Sequence, residues 1–235
     1  MFKTKKELVF IILAGIFITN AVVAELIGGK LIYMGPFIMS VGILPWPVVF
    51  IATDIINEYY GRSGVKKLSI ITASLIVYAF VILFFAMKVP AADGISVVTD
   101  SQFTAVFGQS MWIIVGSVIA FLVSQFIDVS IFWLLREKTG GKMIWLRSTG
   151  STIVSQLIDT FIVAGIGFWL PGKVDTGTFI NMALTGYTAK LIIAIVLTSA
   201  IYLGHSAIEK YIGDEASHEL LKHTAEESLH HKVKD

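Results

Sequence analysis

Residues 111–135 read MWIIVGSVIAFLVSQFIDVSIFWLL, and Asp128 is the one charged side chain among them. An apolar stretch of about 18 or more residues with few charges is typical of a membrane-spanning helix, because about 20 helical residues cross the hydrocarbon core of a bilayer. The stretch therefore predicts a transmembrane helix. Three polar residues, Ser124, Gln125 and Asp128, lie towards the middle of it.

The rest of the 235-residue chain is similarly apolar, with only 15% charged residues where an ordinary soluble domain has about 25%. Five further stretches are long enough to cross a membrane, at about 7–28, 37–57, 68–89, 149–170 and 179–204. The sequence therefore predicts an all-α membrane protein, a six-transmembrane-helix bundle. We expect one transmembrane domain over residues 1–205 and a polar cytoplasmic tail over residues 206–235.

Prolines lie immediately before the second stretch, at Pro36, and within it, at Pro45 and Pro47. Proline lacks a backbone N–H and clashes with the preceding turn, so it suits the first position of a helix and not its interior. A regular helix is therefore expected only from about Pro47, with an irregular hairpin over about residues 31–45 before it. A single helix kinked at its prolines is the alternative.

Lysine and arginine are distributed unevenly between the two sides of the predicted bundle. Lys30, Lys88 and Lys173 lie on one side, Lys190 falls inside the last span, and the remaining 14 of the 18 cations lie on the other side, with the N-terminus. Cytoplasmic loops carry an excess of these residues. We therefore expect both termini in the cytoplasm.

The polar triplet of the first quoted stretch occurs a second time, as Ser155, Gln156 and Asp159. Residues three or four apart share one face of a helix, and a carboxylate inside a membrane is costly enough to indicate a functional site. Counting from the basic loop between the two helices places both copies near mid-bilayer depth. They predict a single substrate pocket. The alternative is a packing contact between helices, which serine and glutamine commonly form.

Lys190 also lies within an apolar run, the last predicted span. A buried lysine requires a carboxylate partner, and the candidates are Asp128, Asp159 and Glu25. We predict that Lys190 pairs with an aspartate of the repeated triplet when no substrate is bound. The alternative is that its ammonium reaches the membrane surface along an extended side chain.

Asp54, Asn57 and Glu58 form one polar face at the cytoplasmic end of the second span. Two carboxylates at a helix C-terminus oppose the helix dipole, so they need another reason to be there. We predict a cytoplasmic gate in which they exchange ion-pair partners with Arg62, Lys66, Lys67 and the basic loop Arg136–Arg147. The alternative is a helix end that emerges into water and is capped by Gly61.

The remaining features assign no catalytic residue, metal site or cofactor. The chain has no cysteine, which excludes disulfides and thiolate chemistry. It also has no HExxH or GxSxG motif and no phosphate-binding glycine loop. We interpret the histidines from His205 onwards as part of a solvated, partly helical tail, with metal binding as the alternative.

Three motifs together resemble the queuosine-precursor transporter family, whose members are also called putative vitamin uptake transporters. The motifs are Asn20…Glu25, Pro47…Thr53-Asp54…Asn57-Glu58-x-Tyr60-Gly61 and Ser155-Gln156-x-x-Asp159-Thr160. The resemblance implies a six-span protein of the bacterial inner membrane that imports a 7-deazaguanine base, such as 7-cyano- or 7-aminomethyl-7-deazaguanine, for transfer RNA modification. It also implies that Asn20 and Glu25 belong to the substrate site.

The predicted pocket suits such a substrate. A guanine-like base presents an N–H beside an amino group, which a carboxylate accepts, and its carbonyl accepts from Gln125, Gln156 or Lys190. The resemblance implies no nucleic-acid partner, and a homo-oligomer stays open. The alternative is the substrate-binding subunit of an energy-coupling-factor vitamin importer, which works with an ATPase pair. The Ala-x-x-x-Ala contact of such subunits is absent from the first span.

Overall fold

The computed structural model describes residues 4–35, 37–108, 111–140 and 143–231. Helices dominate these residues, as the sequence predicts. They are α1 (Lys5–Ile27), α2 (Trp46–Ala86), α3 (Asp100–Phe107), α4 (Met111–Thr139), α5 (Ile144–Ala164), α6 (Thr176–Ile212) and α7 (Asp214–His231). A turn of π-helix over Gly165–Trp169 extends α5.

Four segments among the described residues are long and apolar enough to cross a membrane. They are Lys5–Ile27, Val41–Ala86, Asp100–Thr139 and Ile144–Trp169. The second and third contain 46 and 40 residues, well beyond the roughly 20 that one crossing needs. Helix α6 is also long, at 37 residues. The count of six spans stays a prediction.

A sharp bend at Gly61 divides α2 into two arms. Its φ of 77° and ψ of 174° interrupt the helical backbone, and glycine adopts a positive φ without the steric penalty that other residues carry. The sequence predicts two separate spans ending near residue 57 and starting near residue 68. The structure instead continues helical backbone up to the bend from both sides. Ile56 before the bend and Val65 after it are buried in the same core.

A β-hairpin precedes α2, where the sequence predicts an irregular one. Strand β1 (Leu31–Met34) pairs antiparallel with β2 (Phe37–Ser40), so that Leu31 faces Ser40 in the register. The hydroxyl of Ser40 donates to the carbonyl of Gly28 at 2.7 Å and thereby fixes the hairpin to the end of α1. The hairpin is more regular than expected. Pro36, at its turn, lies outside the described residues.

The central core joins α1, both arms of α2, and α4, through apolar side chains such as Phe17, Ala21, Ile56, Phe121 and Val129. The outer face of the bundle is apolar as well. Ile71, Phe85 and Leu203, for example, are more than half exposed. An exposed apolar surface of this kind is expected of helices that face lipid, where it needs no protein partner.

The C-terminal segment packs against the bundle. Helix α6 continues past the predicted domain boundary at residue 205 as far as Ile212, and α7 then returns beside α2. The hydroxyl of Thr224 donates to the backbone carbonyl of Tyr59 at 3.1 Å. Ile208 and Ile212 pack with Tyr59 in a second apolar cluster. One face of α7 is thus buried and not solvated.

Candidate substrate site and inner gate

The two polar triplets meet across the interface of α4 and α5. The hydroxyl of Ser124 donates to Asp159 Oδ1 at 3.3 Å, and the hydroxyl of Ser155 donates to Asp128 Oδ1 at 3.0 Å. The serine of each triplet thus binds the aspartate of the other. Two such reciprocal contacts require that the helices run antiparallel and that both triplets lie at the same depth. Counting residues from the basic loop predicts the same arrangement.

Lys190 brings α6 to this site. Its Nζ lies 2.6 Å from Asp159 Oδ2, and the two side chains are 20% and 12% exposed. The predicted pairing of Lys190 with an aspartate of the repeated triplet is confirmed. Both oxygens of Asp159 are therefore occupied, one by the ammonium and one by the hydroxyl of Ser124.

Glu25 of α1 lies next to this pair. Its carboxylate accepts a hydrogen bond from the hydroxyl of Ser117 in α4 and interacts electrostatically with both Asp159 and Lys190. Asn20, the other candidate in α1, donates its side-chain amide to the carbonyl of Ile16 one turn earlier, at 2.9 Å. Glu25 therefore lies at the site, whereas the side-chain amide of Asn20 hydrogen-bonds to the backbone of its own helix, α1.

The two glutamines are both buried within the bundle. Gln125 donates its amide to the hydroxyl of Thr53 at 2.9 Å and so connects α4 to α2. Gln156 lies on α5, one turn before Asp159, where only 6% of the residue is exposed. The site is therefore formed by α1, α4, α5 and α6, and Gln125 connects it to the polar face of α2.

That polar face of α2 is the predicted gate. Asp54, Asn57 and Glu58 are 3%, 0% and 5% exposed, so the alternative of a helix end emerging into water is wrong. Asp54 accepts a hydrogen bond from the hydroxyl of Ser148. The oxygen Oδ1 of Asn57 accepts one from the indole N–H of Trp133 at 2.7 Å.

Glu58 lies between two buried guanidinium groups. Arg147 Nη2 is 2.8 Å from Glu58 Oε1, and Arg136 Nη1 is 3.8 Å from Glu58 Oε2. Both arginines belong to the ends of the predicted basic loop. Arg62, another expected partner, instead donates to the hydroxyl of Ser130 at 3.0 Å.

Sequence reasoning did not identify two contacts of this inner region. Arg136 donates to the backbone carbonyl of Leu221 at 3.3 Å, which ties the ion-pair cluster to α7. His205 Nδ1 lies 3.0 Å from the hydroxyl of Tyr59, and the histidine is buried. The position of His205 at the end of an apolar run, apart from the histidines of the tail, is the signal that could have indicated burial.

Comparison with known proteins identifies the family of this chain. The family described as putative vitamin uptake transporter matches residues 40–204, well over half of the sequence. The chain belongs to this family. It is therefore a multi-pass membrane protein of a transporter family, which agrees with the expectation that it is not an enzyme. The matched range includes the repeated triplets, the predicted gate and Lys190, whereas α1 and α7 lie outside it.

Three curated relatives of this family member carry more specific names. A "probable queuosine precursor transporter" of Bacillus subtilis is 29% identical over 72% of each chain. A protein of the same name from Haemophilus influenzae is 25% identical over 68% of this chain and 66% of its own. The "queuosine precursor transporter" of Escherichia coli K12 is 27% identical over 68% and 70%, respectively. No solved structure matches the chain.

Proposed function

We propose that this protein imports a queuosine precursor, a 7-deazaguanine base such as 7-cyano- or 7-aminomethyl-7-deazaguanine, for transfer RNA modification. The names of three relatives support this substrate class. The observation that carries the proposal is the ion pair of Asp159 and Lys190, which lies beside Glu25 within an apolar bundle. Groups of this kind inside a membrane protein mark substrate pathways.

The chemistry of the site complements the proposed base. The substrate N–H and amino group would replace Lys190 at the carboxylate of Asp159, as two charge-assisted hydrogen bonds. The released ammonium of Lys190 would then donate to the base carbonyl or pair with Glu25. Substrate binding would thus change the contact between α5 and α6, and this change is the proposed link between binding and movement.

We further propose a topology of six crossings in the bacterial inner membrane, with α2 crossing twice and both termini in the cytoplasm. The contacts at one end of the bundle support it. Tyr60, beside the bend, donates its hydroxyl to the carbonyl of Lys6 at 2.8 Å, and Lys6 Nζ pairs with Glu219 of α7 at 2.5 Å. The N-terminus, the bend and the C-terminal helix therefore lie at one end, where most of the cations are also expected.

Glu58 is proposed as the central residue of an inner gate, with Asp54 and Asn57 beside it. An exposed ion pair contributes only about 0–1 kcal/mol, which is too little for a gate, but these partners are buried. We expect Glu58→Gln to change the transport rate several-fold while changing equilibrium binding of the base by less than about twofold. Transport in proteoliposomes and binding in detergent measure the two effects. A large loss of binding with no separate rate effect would place Glu58 in the substrate site.

Uptake of radiolabelled 7-deazaguanine bases into bacteria that cannot synthesise them tests the substrate. Cells that express the protein should accumulate label and recover the modified nucleoside in their transfer RNA, and cells with the empty vector should not. Unlabelled guanine in excess tests whether the deazaguanine ring is required. Equal accumulation with and without the protein would exclude this substrate class.

An energy-coupling-factor subunit is the alternative function, since the description of the family refers to vitamin uptake. Such a subunit would co-purify with an ATPase pair, and its uptake would require ATP. The proposed transporter would instead act alone or as a homo-oligomer, and uptake into proteoliposomes that contain only this chain would distinguish the two.

A further inference from the structure

Asp54 is buried with only one of its oxygens in a hydrogen bond. Oδ2 accepts from the hydroxyl of Ser148, while Oδ1 has no hydrogen-bond partner among the described residues. Only 3% of the residue is exposed. A buried carboxylate oxygen without a partner is costly, so Oδ1 requires a further ligand or a proton.

A small cavity adjoins this carboxylate. Its volume is about 10 Å³, and its polar lining consists of Asp54, Ser148, Thr149 and Thr152. A cavity of this size holds roughly one water molecule or one ion of similar radius. It is far too small for a nucleobase, so it is distinct from the proposed substrate site.

The adjoining face of α5 is a row of hydroxyl groups. Ser148, Ser151, Thr152 and Ser155 recur at helical spacing on one face, and all four are buried. Ser155 and Ser151 hydrogen-bond to Asp128, and Ser148 hydrogen-bonds to Asp54. Asp54 and Asp128 are held by the same row of hydroxyl groups, close enough for their charges to interact. A cation beside them would offset negative charge on either carboxylate.

The charge balance of the bundle also favours a bound cation. Among the described residues, five buried carboxylates belong to Glu25, Asp54, Glu58, Asp128 and Asp159. Three cations face them: Arg136 and Arg147 at Glu58, and Lys190 at Asp159. No ion pair joins Asp54 or Asp128 to a cation in the described part of the chain, although Arg147 attracts Asp54 at longer range. Buried charges without compensation are strongly destabilising.

The available ligands indicate which cation would bind. The polar side chains at the cavity all carry oxygen and no nitrogen, which suits a hard cation. No group of three or more His, Cys, Asp or Glu side chains comes together in the described part of the chain. Asp54 thus supplies a single carboxylate to the cavity, which balances the charge of one monovalent cation. A hydroxyl can donate its proton to Asp54 and still offer a lone pair to an ion.

We propose that Asp54, Ser148 and Thr152 bind one Na⁺ ion, and that the Na⁺ gradient drives uptake of the substrate. The ion site is close to the predicted gate and to the repeated triplet, because Asp54 interacts electrostatically with Glu58 and with Asp128. Bound Na⁺ neutralises Asp54 and so stabilises the closed arrangement of these groups. The driving role rests on the proposed transport function, whereas the binding of the ion does not.

Binding of radiolabelled ²²Na⁺ to the purified full-length protein, without substrate, tests the site. We expect one saturable site per chain, a loss of affinity of roughly tenfold or more in Asp54→Asn, and a smaller loss in Thr152→Val. Asp93→Asn, in the exposed loop before α3, is the matched control and should bind Na⁺ as the wild type does. Thr152→Val keeps the test decisive if Asp54→Asn does not fold.

The outcomes separate the ion site from the transport function. Absence of saturable ²²Na⁺ binding, as a buried water alone would give, overturns the proposal, and so does unchanged affinity in both Asp54→Asn and Thr152→Val. Base uptake driven by a pH gradient and independent of Na⁺ would also overturn it, in favour of a proton. Specific Na⁺ binding without base uptake would support the ion site and exclude only the proposed substrate.

Discussion

Replacing Arg147 with methionine is expected to lower the free energy of unfolding by about 3 kcal/mol, the largest effect of a single substitution that we expect on stability. Arg147 is 1% exposed and lies 2.8 Å from Glu58 Oε1, so its removal leaves the buried Glu58 carboxylate with only Arg136, at 3.8 Å. Breaking one side of a buried ion pair is costly because the other charge remains in an apolar surrounding. Chemical unfolding in detergent measures the loss.

Two further variants separate this effect from a general effect of charge removal. Arg62→Met removes an exposed guanidinium that donates to Ser130, and it should change stability by less than about 0.5 kcal/mol. The double variant Arg147→Met, Glu58→Gln should be destabilised by less than the sum of the two single changes, because both single changes break the same ion pair. A double variant that is as unstable as the sum of both single changes would contradict the buried pair.

Asp159→Asn is expected to reduce substrate uptake by about 100-fold while membrane insertion remains intact. An asparagine amide has one acceptor oxygen beside a donor NH2 group, so it cannot accept from an N–H and an amino group side by side, and each charge-assisted bond contributes about 1.5–3 kcal/mol. The loss of about 3 kcal/mol corresponds to roughly two orders of magnitude. Initial rates of uptake, normalised to the amount of protein in the membrane, measure the effect. Asp128→Asn should also lower the rate of uptake. Wild-type uptake rates in both variants would show that the triplets are only packing contacts between helices.

The partner of Asp159 provides the control for this second prediction. Lys190→Met leaves the carboxylate of Asp159 without its ammonium, so it should destabilise the protein more than the double variant Lys190→Met, Asp159→Asn. Both variants should transport poorly, but only the single change should unfold at a clearly lower temperature. Additive effects of the two changes would show that the two residues do not interact in the folded protein.

The helices that contain a long apolar stretch could be predicted from the sequence. The stretch 111–135 corresponds to α4, Met111–Thr139, and the stretch 149–170 corresponds to α5 with its π-helical extension. Helix α3 was not predicted because its eight residues are too few to form a membrane-spanning apolar stretch. Its start carried a signal nonetheless, since Thr99 and Gln102 form a capping box of the kind that a T-x-x-Q pattern indicates.

The contacts between helices were harder to predict than the helices. Lys190 could be paired in advance because few carboxylates lie at its depth. The basic loop Arg136–Arg147 could be named as a source of partners for Glu58, but Arg147 could not be selected over Arg62 or the lysines, since depth along the membrane normal says nothing about how α2 and α5 are rotated towards each other. The rotation follows from packing across the whole interface. For the same reason, the amide of Asn20 could not be foreseen to turn towards Ile16.

The reciprocal bonds between the triplets have a mechanical consequence. Ser124 with Asp159 and Ser155 with Asp128 are held in a single register, so sliding α4 along α5 by even one turn would separate both pairs at the same time. The two helices therefore form a rigid pair. If the protein transports as proposed, the motion that opens the site to one side and then the other would fall to α1 and α6, which contact this helix pair through Glu25 and Lys190 and would tilt against it.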